Sequence, residues 1–328
     1  MIPENKKTVV DHALQVTFGT TDLQDIRELT AGLSTALVFR IVVGRKPYLL
    51  RIITRTDAMA DPTLQYNCMK AAAEAGIAPK VWYASVEDRI AIIDFIEAKP
   101  FPMEEAKTKL PHLLKRLHSL PPFPFRINYL DKIGEFIEKF RADKLMPDEQ
   151  TADLFAFYTR VKNIYPRNPE DQVGCHNDLK PENTLFDGER VWLVDWEAAF
   201  LNDRYLDLAI MANFLVKNKD NEKIYLSAYF GEEANEYQLA RFFLMRQTLH
   251  LFYFVVFTIV GKTPDKPIAP DMPVPNFREF HDLIWTGKLS LADMGNRLQY
   301  AQVHRKQLQH NLRLKRLDES LQIVANYK

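Results

Sequence analysis

The stretch from Gly174 to Ala198 constrains this chain most: G-C-H-N-D-L-K-P-E-N-T-L-F-D-G-E-R-V-W-L-V-D-W-E-A. Leu185 and Phe186 give way to Asp187-Gly188, a strong two-residue hairpin signal, and then to the β-branched and aromatic run Val191-Trp192-Leu193-Val194. This pattern predicts a loop, a short strand, a tight turn and a second short strand with Asp195 at its exit. Asp178 and Asn183, on a loop interrupted by Pro181, are then expected to face Asp195 across the hairpin.

Two carboxylates and a carboxamide are hard oxygen donors. They suit Mg²⁺ better than zinc, and no Cys/His set with zinc spacing competes. Mg²⁺ held by one or two such groups plus substrate phosphates is the usual arrangement at ATP sites. Asp178 is left to accept a proton from an attacking hydroxyl.

The motif H-x-D-x-x-x-x-N from His176 to Asn183, D-W-E from Asp195 to Glu197 and L-D-L-A around Asp207 follow one another in order. Together they resemble the catalytic core of the aminoglycoside phosphotransferase and choline kinase superfamily, small-molecule relatives of the protein kinases. The resemblance implies an α+β, two-lobed protein-kinase-like fold: a small antiparallel-sheet lobe over residues 1–97, a hinge at about 94–100, and a larger, mainly helical lobe over 101–328. It implies ATP and Mg²⁺ as cofactors, Asp178 as base with His176 and Lys180 in the same catalytic loop, Asn183 and Asp195 as metal ligands, and Asp207 as support for the loop.

The resemblance extends towards the N-terminus. Thr30-Ala31-Gly32-Leu33-Ser34-Thr35 stands where the superfamily has a loop that covers the nucleotide, so Gly32, Ser34 and Thr35 are candidate phosphate contacts. Arg51 lies inside the apolar strand Tyr48 to Ile53, where a buried cation needs a partner; the resemblance makes it the residue that holds the α/β-phosphates. Asp61-Pro62 reads as the N-cap and first residue of a helix running to Ala75. The acid that should pair with the strand cation is missing from residues 63–67, where Gln65 offers a hydrogen bond without charge and Glu74 comes two turns too late. Asp94 to Pro100 resembles the hinge that meets adenine, with Asp94 and Ile96 as candidate contacts.

Length and composition agree with this reading. A chain of 328 residues is about right for two lobes. Forty-three basic and forty-three acidic residues cancel, so no global field recruits nucleic acid or an anionic membrane. Cys68 and Cys175 are too few for a disulfide framework and read as reduced thiols, the second as a small buried filler. The N-terminus has no apolar core of signal-peptide length, and the most apolar run, Leu249 to Val260, is far shorter than the roughly 20 residues that span a bilayer. A cytoplasmic chain is expected, with the run as a buried helix. The oligomeric state is left open.

The second half reads as helical. His118, in L-H-S-L, is expected to be a satisfied core histidine, residues 128–164 two helices, and 261–277, with five prolines, an extended loop. The six Lys/Arg between Arg297 and Arg316 read as a solvated face. For the phosphoryl acceptor, a choline- or ethanolamine-like small molecule is favoured: Trp196, Tyr205, Phe252 and Tyr253 are candidates for an aromatic box around a quaternary ammonium, with Glu197 as counter-charge. Aminoglycosides or other small metabolites are the alternative acceptors. A protein kinase is the other reading of H-N-D-L-K-P-E-N, opposed by D-W-E in place of D-F-G and by too few residues between Asp195 and Asp207 for an activation segment. An ATP-binding pseudokinase is the reading that the missing helix acid motivates.

Overall fold

Period-two alternation builds the first sheet. In a computed structural model that describes residues 2–29, 36–56, 60–262 and 273–327, β1 (Asp25–Glu28), β2 (Leu37–Val43) and β3 (Lys46–Ile52) pair antiparallel. Phe39, Ile41 and Val43 of β2 face inward with Tyr48, Leu50 and Ile52 of β3, and α1 (Glu4–Phe18) closes this core with Val10, Ala13 and Leu14. Successive side chains alternate between the faces. Arg51, set between Leu50 and Ile52, therefore projects to the other side, opposite Val38 in register.

After β3 the chain enters α2 (Thr63–Glu74), then β4 (Val81–Ser85) and β5 (Ile90–Asp94), giving the antiparallel order β1-β2-β3-β5-β4. The helix starts one residue later than the sequence suggested: Pro62 precedes it, and the Asp61 carboxylate accepts from the Thr63 N–H at 2.8 Å and hydroxyl at 2.6 Å. The capping function of Asp61 is kept despite the shift.

Helices α3 (Met103–Leu117), α4 (Tyr129–Ala142) and α5 (Ala152–Ile164) lead to the short strand β6 (Gln172–Cys175). The hairpin follows as β7 (Thr184–Phe186) and β8 (Val191–Leu193); Phe186 pairs with Val191 and Asp187 N–H donates to Arg190 O at 3.1 Å, so the tight turn centres on Gly188-Glu189, one residue later than the Asp187-Gly188 turn expected, with Gly188 at φ +106°. Beyond it come β9 (Phe200–Asp203), paired with β6, and α6 (Arg204–Leu215), α7 (Lys219–Phe230), α8 (Glu236–Gly261), α9 (Phe277–Trp285), α10 (Met294–Asn311) and α11 (Lys315–Asn326). At 26 residues α8 is long and apolar enough to cross a bilayer by length and composition, but α6, α10 and α11 pack on it and most of its apolar stretch is buried. It is the core helix of its unit.

The chain divides into two units: Met1–Phe101 with Glu182–Phe200, and Pro102–Pro181 with Leu201–Lys328. The first unit ends at Phe101, and the hairpin belongs with it rather than with the helices that flank the hairpin in sequence. Backbone bonds explain this. Leu193 N–H donates to Ile77 O at 2.9 Å, and Lys99 N–H donates to Phe186 O at 2.6 Å.

Candidate functional site

In the helical unit the loop after β6 is held from behind. Gly174 lies so close to the Phe123 ring that a Cβ there would meet it at 3.0 Å, which seats β6 against the helices. His176 is fully buried, and its N–H and that of Asn177 each donate to the Asp207 carboxylate at 2.8 Å. Asn177 takes a left-handed conformation, φ +64°, and its side-chain oxygen accepts from Asn202 at 2.9 Å. The loop turns sharply there and presents Asp178, whose own N–H donates to His176 Nδ1 at 3.4 Å. Lys180 Nζ lies 3.1 Å from the Asp178 carboxylate.

Asp207 sits in the first turn of α6, which Asp203 caps through the Tyr205 N–H at 2.8 Å. Asp203 in turn pairs with the buried Arg241 at 2.7 Å; desolvation still dominates and pushes its carboxyl up to about 6. His118 bonds Asp207 at 3.2 Å and the Tyr229 hydroxyl at 2.8 Å, so it is the satisfied core histidine expected, with a partner that the sequence did not reveal. His118, Cys175 and Asp207 offer atoms within 4.8 Å of one another, yet both Asp207 oxygens already accept from backbone N–H groups. Burial pushes the Cys175 thiol up, and it donates to Asn202 O at 3.4 Å. The trio is a brace for the loop.

The N-terminal unit carries candidate residues of its own. Val194 N–H donates to Asn183 O at 3.0 Å, which clamps the open end of the hairpin and brings Asn183 and Asp195 to the same end. Asp195 takes φ +65°, ψ 70°, a conformation that Asp tolerates better than most residues. Arg51 Nη1 donates to Asp195 at 2.7 Å and Nη2 to Glu197 at 3.0 Å. Burial lowers the guanidinium's pKa, but Asp195 and then Glu197 outweigh it, and the net shift is upward. Arg51 thus has acidic partners, supplied by the hairpin rather than by α2. A buried carboxamide and a partly exposed carboxylate at one hairpin end form a hard-oxygen donor set that fits Mg²⁺.

The remaining candidates divide. Gly32, Ser34 and Thr35 lie outside the described residues. Asp94 accepts from the Trp82 indole at 2.7 Å, and Ile96 is half-buried. Trp196 is 1% exposed with its indole N–H on Leu193 O, and Tyr205 is 2% exposed beneath the Arg241 guanidinium, so both are packing residues and not walls of a box. Glu197 is taken by Arg51. Phe252 and Tyr253 do come together: both are half-buried, with ring centroids 5.7 Å apart, and Phe252 also meets Tyr129 at 5.3 Å. Burial raises the Tyr253 hydroxyl's pKa, and the charge of Asp178 adds to the rise.

A strand cation bonded to an acid-tipped hairpin, and an H-x-D loop braced by a helix acid, are parts of a protein-kinase-like phosphotransferase. The model of the phosphotransferase enzyme family matches residues 25–243, and the chain belongs to that family. Protein LicA of Haemophilus influenzae is 30% identical over 151 residues, 43% of this chain and 42% of that protein; the LicA of strain KW20 is 32% identical over 151 residues, covering 53% of it. The match spans about half the length of these relatives. Among solved structures, a choline/ethanolamine kinase family protein from Mesorhizobium loti has a TM-score of 0.68 at 21% identity, covering 98% of this chain and 99% of that one. Choline kinase LicA from Streptococcus pneumoniae has a TM-score of 0.60 at 16% identity, covering 93% and 100%. Both share the fold.

Proposed function

We propose that this protein transfers the γ-phosphoryl group of ATP to the hydroxyl of a small cationic alcohol of the choline and ethanolamine type. The similarity to LicA proteins and the family membership support the reaction class. The observation that carries the acceptor is the half-buried Phe252–Tyr253 pair, where the Asp178 charge adds to the rise of the Tyr253 pKa. Aromatic faces attract a quaternary ammonium, and a nearby carboxylate adds to that attraction.

The residues take these roles. Asp178 accepts the proton of the acceptor hydroxyl as its oxygen bonds to the γ-phosphorus and the bond to the β-phosphate oxygen breaks, releasing ADP. Lys180 holds the Asp178 carboxylate in place, and Asp207 holds the backbone that presents it. Arg51 meets the nucleotide phosphates. Asn183 and Asp195 would hold Mg²⁺, which neutralises charge on the phosphate oxygens when bound. Asp94 and Ile96, at the end of β5 and just after it, are proposed to lie at the adenine site. The reaction runs in the cytoplasm in this reading.

The test is ADP release from MgATP against choline, ethanolamine, thiamine, homoserine, sugars and several aminoglycosides. Turnover is expected on a cationic alcohol, and Asp178→Ala should lower it about 10²- to 10⁴-fold while nucleotide binding persists. Turnover only on aminoglycosides would overturn the acceptor, and a variant retaining most of its rate would overturn the base.

A further inference from the structure

In the kinase template the strand cation is positioned by an acid on the helix that follows it. Here α2 reads T-L-Q-Y-N-C-M-K-A-A-A-E, with its one acid at the far end. The residue of α2 that feels the Arg51 charge is Tyr66: burial raises its phenol, and Arg51 pulls the other way. The Tyr66 hydroxyl is buried with no hydrogen-bond partner among the described residues. The helix therefore supplies Arg51 with a neutral neighbour.

The charge comes from the opposite direction. Glu197 lies in the one-turn 3₁₀ segment Trp196–Ala198, which packs on α2 and is anchored by the buried Trp196 ring. Its carboxylate is 3.0 Å from Arg51 Nη2, while Asp195 takes Nη1. The two acids are not equivalent. Asp195, the more buried, stands at the same hairpin end as Asn183 and belongs to the donor set that fits Mg²⁺; Glu197, 53% exposed, lies 3.0 Å from the guanidinium outside that set. A nearly buried cation that shared its only acid with a metal would be left undercompensated.

The geometry points to Glu197 as the positioning residue of the nucleotide site: it takes the place of the absent helix acid and holds Arg51 towards the phosphates whether or not Asp195 is engaged elsewhere. This rests on the reading that Arg51 binds nucleotide phosphate. It also removes the ground for an inactive pseudokinase, because the cation is not without a counter-ion.

The experiment is calorimetric titration of ADP and ATP, first in EDTA and then in Mg²⁺, on the wild-type chain, Glu197→Gln and Glu197→Asp, with thermal melting alongside. Glu197 is half-exposed, so both variants should melt close to wild type. Glu197→Gln is expected to weaken nucleotide binding about threefold to tenfold in EDTA and by a similar factor in Mg²⁺, with Glu197→Asp in between. In turnover, KM for ATP should rise more than kcat falls. Unchanged affinity in EDTA would overturn the proposal, and a loss seen only with Mg²⁺ would overturn it in favour of a metal-ligand role. If the wild-type chain binds no nucleotide in either condition, the functional reading beneath it fails first and takes this one with it.

Discussion

Asp207 holds the H-x-D loop by its backbone. Each of its oxygens accepts a backbone N–H, from His176 and from Asn177, and His118 bonds it from the side, while Asp207 itself is fully buried. An acceptor-only group is needed there, because both facing groups are donors. Asp207→Asn would turn an NH₂ against one of those N–H groups and remove the charge. We expect it to cost about 2–4 kcal/mol of stability in denaturant unfolding, and to lower kcat at least tenfold with little change in KM for ATP, since its contacts are to the loop that presents Asp178. A variant with wild-type kcat would mean that the loop holds its shape unaided. Asn177 shows the same dependence at smaller scale: its left-handed backbone is stabilised by a side-chain bond to Asn202, a partner that nothing in the local sequence announces.

At the scale of elements, the hairpin is the part that sequence described best, because its information is local. Asp187 Oδ1 accepts from the N–H groups of Glu189 and Arg190 at 2.8 and 2.7 Å, and Oδ2 from the Trp192 indole at 2.7 Å; these bonds, the first of them to Arg190, draw its carboxyl down to about 2. Asp187→Ala should therefore loosen the turn by about 1–2 kcal/mol in thermal or denaturant unfolding. MgADP affinity should fall with it, because Asn183 and Asp195 sit at the hairpin's other end; an unchanged affinity would show that their geometry does not depend on the turn. Partners that lie far apart in sequence were illegible. Arg51 and Asp195 are separated by 144 residues, and an apolar run containing one Arg does not say whether phosphate, water or carboxylate completes it. Aromatic residues failed for another reason: Trp196, Tyr205, Phe252 and Tyr253 carry the same composition signal, yet the first two are packing residues and only the last two share a half-buried patch.

For the molecule as a whole, the response to acid follows from three histidines buried where α8, α9 and α10 meet. His250, His281 and His304 are at most 1% exposed, and His250 Nδ1 lies 2.8 Å from His304 Nδ1, a bond that needs one ring to donate and the other to accept. Burial, with Arg278 adding like charge, pushes His281 down to about 3 and the other two well below their ordinary 6.5. Between about pH 6.5 and 3 the unfolded chain therefore binds protons at these positions that the folded chain does not, so stability falls as pH falls, by up to about 1.4 kcal/mol per pH unit for each group. Asp203 has the opposite sign: raised to about 6 in the folded state, it takes up a proton before its unfolded counterpart does and offsets part of the loss. Three groups outweigh one. Since a domain has about 5–15 kcal/mol to lose, Tm should decline steadily from pH 7 and the helical unit should unfold by about pH 4 to 5. Replacing His281 by Leu keeps the pocket apolar and removes one of the three protons, so the slope of stability against pH should drop by about a third even if the variant is less stable at pH 7. A flat Tm between pH 7.5 and 5 in the wild-type chain, or an unaltered slope in the variant, would show that the acid response originates elsewhere.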